Sequence, residues 1–232
     1  MAFVRFLAMT PAEFREGAGE DAVAWMACHF SLWGTGLTNL PDTLPPGSLL
    51  MVDDRTPLRG HDPRTVARQL EETLEGWDCA GILLDFQRPG NGEAGAMASY
   101  LENHLPCPVG VSSLYGQATR GPVCLPPPPC SVPLEAHLSC WAGREIWLEL
   151  AGEGQTLLLT DRGASTGLFP GPPPGEGYRD EGLSCHYRIR LTPEGARFFL
   201  WRTREDLEGL EEKARTLGVS RTLGLWQQWR GT

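Results

Sequence analysis

Cys79-Ala80-Gly81-Ile82-Leu83-Leu84-Asp85-Phe86-Gln87-Arg88-Pro89 is the stretch that decides the fold. An apolar run climbs to one carboxylate, followed by an aromatic, an amide and a proline. Strands of parallel sheets are buried on both faces and read as continuous apolar runs. In α/β folds the polar residues at the carboxyl ends of such strands line the site. Asp85 and Gln87 are two apart, so a strand points them to the same side.

The neighbouring segments complete a β/α unit. Upstream, Asp62-Pro63 is a helix start with proline in the first turn. Val66, Leu70, Leu74 and Trp77 recur at helical spacing and make one apolar face. Ser48 to Val52 is the strand before that helix, so strand, helix and strand have the crossover length that a parallel pair requires. Downstream, Glu93 to Leu105 predicts a helix with Met97, Leu101 and Leu105 on one side. Pro108 to Ser112 predicts the next strand.

Farther out the pattern persists. Thr10-Pro11-Ala12-Glu13 signals a short helix after an initial strand or coil. Val23 to Phe30 predicts a strand. Val123 to Leu125 predicts another, closed by the extended proline run Pro126 to Pro129. Leu134 to Cys140 reads as a helix. Glu145 to Leu150 and Gln155 to Thr160, separated by Ala151-Gly152-Glu153-Gly154, read as a β-hairpin. Residues 161–182, with Pro170, Pro172, Pro173 and Pro174, read as a surface loop. Tyr187 to Leu191 and Arg197 to Trp201 predict strands. Thr203 and Asp206 resemble a capping box. Leu207, Leu210, Ala214 and Leu217 form an apolar helical stripe, Gly218 stops the helix, and Arg221 to Trp226 predicts the last strand. The expected fold is α/β: one (β/α)8 TIM-type barrel spanning 1–232, irregular or short of a strand, with a hairpin and Gly/Pro-rich excursion at about 145–191.

Composition narrows the function classes. Hydrophobic residues make up 41 % and charged residues 21 % of the 232, as in ordinary soluble globular chains. The net charge of -9 argues against a nucleic-acid partner, which needs clustered Lys and Arg. No apolar run is long enough to span a membrane, and the start does not read as a signal peptide. The cysteines number seven, an odd count, and several fall in apolar strand-like runs. Reduced thiols and a cytoplasmic location are therefore expected. No Cys-x-x-Cys or His-Glu-x-x-His spacing implies a metal, and no cofactor is implied.

Ala80-Gly81-Ile82-Leu83-Leu84-Asp85-Phe86-Gln87-Arg88-Pro89 resembles the signature strand of the chitinase-like family-eighteen glycoside hydrolases, Asp-Gly-Ile-Asp-Leu-Asp-Trp-Glu-Tyr-Pro. Gly81, Ile82, Leu84, Asp85 and Pro89 match in register, and Phe86 keeps an aromatic. Phe198 to Trp226 resembles the family's closing segment, with Trp226 matching the tryptophan that floors the sugar site. The two stretches cover about a quarter of the chain. Leu114-Tyr115-Gly116 does not match the family's Met-x-Tyr-Asp strand, and Val52-Asp53-Asp54-Arg55 stands where its Ser-x-Gly-Gly strand should be.

The resemblance implies a barrel that binds an N-acetylated glycan or another small molecule at its carboxyl-end mouth. It also implies a defect. The family's general acid is replaced by Gln87, and an amide has no titratable proton to give. Losing a general acid typically costs about 100- to 10,000-fold. Ala80 and Leu83 replace the motif's first two acids. Asp85 matches the aspartate that orients the substrate acetamido group. The leading expectation is a non-hydrolytic, pseudoenzyme-like barrel with Asp85, Gln87, Trp226 and Trp33 as ligand-site candidates.

Each candidate has a plain structural alternative. Asp85 could be a solvated strand-end acid, and Gln87 an ordinary structural amide. Trp226 could plug the barrel, and Trp33 could pack in the core. Asp53 and Asp54 are the replacement acids for a second hypothesis, an active hydrolase with a displaced carboxylate. As adjacent strand residues they point to opposite faces. His29 as a base is a further option, weighed against a hydrogen-bonded core histidine. The third hypothesis is an interaction scaffold with no sugar site.

Overall fold

The computed structural model describes residues 3–17, 22–152, 154–169 and 177–229. The chain runs β1 (Val4–Met9), α1 (Pro11–Gly17), β2 (Ala22–Phe30), β3 (Leu37–Thr38), β4 (Ser48–Asp53), α2 (Pro63–Leu74), β5 (Cys79–Asp85), α3 (Gly92–His104), β6 (Val109–Ser112), a 3-10 turn (Ser113–Ala118), β7 (Val123–Leu125), α4 (Leu134–Ser139) and β8 (Ile146–Leu150). It continues through β9 (Gly154–Thr160), β10 (Gly163–Phe169), β11 (Tyr178–Asp180), β12 (Cys185–Thr192), β13 (Gly195–Trp201), α5 (Arg204–Thr216), β14 (Arg221–Leu225) and α6 (Trp226–Trp229).

Eight parallel strands close on themselves in the order β1-β2-β4-β5-β6-β7-β8-β14, with β14 pairing back to β1. No barrel strand is missing. The irregularity lies elsewhere. The chain passes from β2 to β4 without a helix, β2 carries a register shift between Trp25 and Cys28, and β3 adds an antiparallel edge. Gln69 of α2 ties down that connection by bonding both the N–H and the carbonyl of Leu37, at 2.7 and 3.0 Å.

Alternation along the strands sorts the core into layers. Phe6, Ala24, Leu49, Met51, Leu83, Cys124, Trp147 and Leu223 converge from seven strands into the barrel lumen. The eighth, β6, contributes Gly110. A Cβ there would lie 2.5 Å from the Trp147 ring, so only glycine leaves room for the fully buried indole. Arg221 stacks on that indole at 4.5 Å and donates to the Ala80 carbonyl at 2.9 Å. Together they fill the amino end of the lumen. The opposite strand faces pack against helices: Val66, Leu70 and Leu74 of α2 and Met97 and Leu101 of α3 are buried there. Leu207, Leu210 and Ala214 of α5 are buried likewise, while Leu217 is exposed. Asn91 caps α3, and Thr203 and Asp206 form the capping box of α5.

Three sequence expectations are corrected. Residues 145–160 do not form a hairpin: β8 is a barrel strand between β7 and β14, and β9 belongs to a second sheet. That sheet is antiparallel, ordered β10-β9-β13-β12-β11, and enters the chain between β8 and α5. The stretch 161–182 is not only loop. Gly163–Phe169 pairs with β9, whose backbone groups it satisfies; Pro170, Pro172, Pro173 and Pro174 lie outside the described residues. The strand Arg197–Trp201 is likewise part of the inserted sheet, so the closing barrel segment begins at α5.

Candidate functional site

Parallel pairing places Asp53 directly opposite Asp85, and His29 directly opposite Asp53. Asp53 and Asp85 end β4 and β5, and His29 is the last residue but one of β2. Asp53 and Asp85 follow the lumen-facing alternation, since Met51 and Leu83, two residues earlier, lie in the lumen cluster, and His29, past the register shift in β2, pairs with Asp53. The carboxyl end of the barrel therefore carries a row of His29, Asp53 and Asp85, above the lumen cluster.

The surroundings give each acid a different character. Gln87 donates its side-chain amide to Asp85 Oδ1. Burial raises the Asp85 carboxyl above its ordinary value; the Gln87 amide opposes this, and the nearby Asp53 and Asp54 charges add to the rise. Asp54 is 2 % exposed and accepts the backbone N–H groups of Gln87 and Arg88, at 2.9 and 3.0 Å. It clamps the chain after β5 to the end of β4. Asp53 is held by Arg55, with Nε at 2.7 Å and Nη2 at 2.6 Å. His29 Nδ1 lies 3.0 Å from the Ala27 carbonyl. Ser112 Oγ donates to the Phe86 carbonyl at 2.5 Å, and Tyr115 donates to the Arg88 carbonyl. The backbone from Phe86 to Arg88 is thus fixed from three sides.

A further carboxylate shares this interior. Glu149, on β8, follows Trp147 by two residues and so faces the lumen. Burial is the main cause that pushes its carboxyl up to about 7, and the Asp85 charge adds to it. The Cys124 thiol lies 3.8 Å from Glu149 Oε1. Burial raises the Cys124 thiol as well, with the Glu149 and Asp85 charges contributing. Asp85, Glu149 and Cys124 therefore sense one another across the lumen. Glu149 was legible in principle: Ile146-Trp147-Leu148-Glu149-Leu150 is, like the Asp85 strand, an apolar run with a single acid. Assigning it to a hairpin hid that likeness.

The two tryptophans have different surroundings. Trp33 is 97 % exposed on the connection after β2, so packing in the core is excluded. Trp226 is 8 % exposed and belongs to the helix-side cluster with Met9, Leu150 and Leu210. It does not plug the barrel lumen; its neighbour Leu225 packs with the lumen cluster instead. Among the described residues, no group of three His, Cys, Asp or Glu side chains is placed to hold a metal. No helix is long and apolar enough to cross a membrane.

By sequence, no family model and no curated protein matches the chain. By structure, many solved proteins do. A glycoside hydrolase family 18 N-acetylglucosaminidase from Paenibacillus barengoltzii superposes with a TM-score of 0.65 at 12 % identity, covering 98 % of this chain and 96 % of that one. The spore cortex-lytic enzyme SleL of Bacillus cereus gives 0.56 at 12 % identity, covering 99 % and 73 %. A family 18 chitinase from Cycas revoluta in complex with (GlcNAc)3 gives 0.53 at 9 % identity, covering 96 % and 94 %. At these identities the likeness concerns the fold, and the chain has the fold of the family 18 chitinase-like barrels.

Proposed function

We propose that the carboxyl-end mouth of this barrel binds an N-acetylated glycan through Asp85 and Gln87 without hydrolysing it. One observation carries the reading: the Gln87 amide is bonded to Asp85 Oδ1 at the end of β5. In the family-like register, Gln87 occupies the position of the acid that protonates the leaving oxygen. Of the Asp85–Gln87 pair only Asp85 can titrate, and an amide in its partner's place can bind but cannot deliver a proton. The ligand class comes from proteins that share the fold, among them an N-acetylglucosaminidase and a chitinase holding (GlcNAc)3. The test is incubation of the purified protein with chitooligosaccharides and peptidoglycan fragments. Binding without new reducing ends is expected. Turnover that disappears in Asp85→Asn would refute the non-hydrolytic reading.

A second reading has its own observation. Asp54 is committed to two backbone N–H groups and Asp53 to Arg55, so neither is a ready proton donor. Glu149 is lumen-facing, and its carboxyl, raised to about 7, keeps a proton near neutrality. A displaced general acid needs that property. Glycan turnover lost in both Glu149→Gln and Asp85→Asn would establish this reading in place of the first. Neither binding nor turnover with any glycan would leave the interaction scaffold.

A further inference from the structure

The contact between the inserted sheet and the barrel is built around two cysteines. Cys130 sits on the connection after β7, and Cys185 opens β12. They are 2 % and 0 % exposed, and share one cluster with Leu200. The Cys185 sulfur lies 3.5 Å from the Cys130 carbonyl oxygen, and the two thiols are close enough to affect each other's titration.

The backbone on both sides is already held in place. The Cys130 N–H donates to Gln155 Oε1 at 2.8 Å. Arg202, 6 % exposed, grips the chain beside both cysteines. On one flank it donates to the carbonyls of Pro128 (2.6 Å) and Pro129 (3.4 Å). On the other it donates to those of Leu183 (3.3 Å) and Ser184 (3.1 Å). A disulfide needs two sulfurs brought together on backbones that do not have to move, and this junction buries both side chains in one cluster between backbone segments that Arg202 already holds.

We propose that Cys130 and Cys185 are a cross-linking site, at which a disulfide staples the inserted antiparallel sheet to the barrel. Either cysteine can react first, with the same bond as the end point; in one order that cysteine is Cys130. Its thiolate attacks one sulfur of a small-molecule disulfide, forming a mixed disulfide and releasing one small thiolate. Cys185 then loses its proton and attacks the Cys130 sulfur, releasing the second small thiol. Two protein thiols are oxidised and the small disulfide is reduced to two thiols.

The remaining cysteines set the specificity. Cys28 and Cys124 are buried, and burial raises both thiols. Cys140 is exposed. Cys79 and Cys107 are a second pair whose thiols affect each other's titration, so the mass of the intact protein cannot identify the link.

The experiment is refolding of the reduced, denatured full chain in oxidised glutathione, which gives the reagent access before the junction is buried. Free thiols are then alkylated, and linked peptides are located by tandem mass spectrometry without reduction. A Cys130–Cys185 peptide is expected, together with a melting temperature about 5–15 °C above that of the dithiothreitol-treated protein. Cys130→Ser should abolish the peptide and reduce the reductant-dependent shift to what any Cys79–Cys107 link contributes. Full alkylation of both residues, or Cys185 linked to Cys124 or Cys140 instead, would overturn the proposal.

Discussion

The lumen of the barrel and the junction with the inserted sheet each bury a carboxylate, and they treat it in opposite ways. Asp206 at the junction is 1 % exposed. Burial alone would raise its carboxyl. It receives the Thr203 N–H and hydroxyl, both at 2.9 Å, with His186 Nδ1 at 2.7 Å and Arg179 Nε at 3.2 Å. These donors and charges win, and the carboxyl lies below its ordinary value. Glu149 in the lumen meets a weak thiol donor and the like charge of Asp85, and is raised to about 7. A carboxylate surrounded by donors holds a fold together. One buried without them is a strained group, and such groups mark sites.

The largest effect is expected at the junction. Asp206→Ala removes a charge on which Thr203, His186 and Arg179 depend, and breaking a buried charged network costs about 3–5 kcal/mol. Because the Asp206 carboxyl is depressed when folded, its contribution is present above the ordinary carboxylate range and lost as pH falls through the folded value. Urea midpoints from pH 3 to 7 should therefore converge for wild type and variant at the acid end. Parallel curves would contradict the assignment.

Glu149 should behave with the opposite sign. Its raised carboxyl favours folding below the ordinary glutamate value, and that advantage is lost as pH rises through about 7. Glu149→Gln should stabilise the protein at pH 8 by on the order of 3 kcal/mol and leave it unchanged near pH 4. Equal stability at pH 8 would mean that the lumen solvates this group well.

Two smaller effects sharpen the contrast. Gly110→Ala drives a methyl into the Trp147 ring and should cost about 1–3 kcal/mol by thermal melting, because the floor of the lumen is rigidly packed. Arg55→Ala breaks an exposed pair with Asp53 and should cost less than about 1 kcal/mol. A larger loss would show that Asp53 is held in the mouth more tightly than its solvent-facing partner suggests.

Much of this was legible in the sequence where the signal is local. The Asp85 strand, the apolar stripes of α2, α3 and α5 and the Thr203–Asp206 cap depend on spacings of a few residues, and the structure has them. Long-range pairing is where spacing fails. β8 finds its partners in β7 and β14, and the latter lies some seventy residues on in the sequence; the glycines at 152 and 154 imitate a hairpin turn between neighbours. Gly163–Phe169 has almost no apolar alternation, so its strand state is imposed by β9. The site divides along the same line. Asp85, Gln87 and Asp53 were visible at strand ends. Glu149 was hidden by the mistaken pairing of its strand. The Cys130–Cys185 contact joins two segments that only the folded chain brings together.

The central claim is that the mouth around Asp85 binds an N-acetylated glycan and does not cleave it. Saturation-transfer proton NMR of a chitooligosaccharide reads both halves in one sample. The account predicts transfer to the N-acetyl methyl groups, its loss in Asp85→Asn, and no new reducing-end signals over hours. New reducing-end signals dependent on Asp85, or no transfer to the glycan at all, would contradict it.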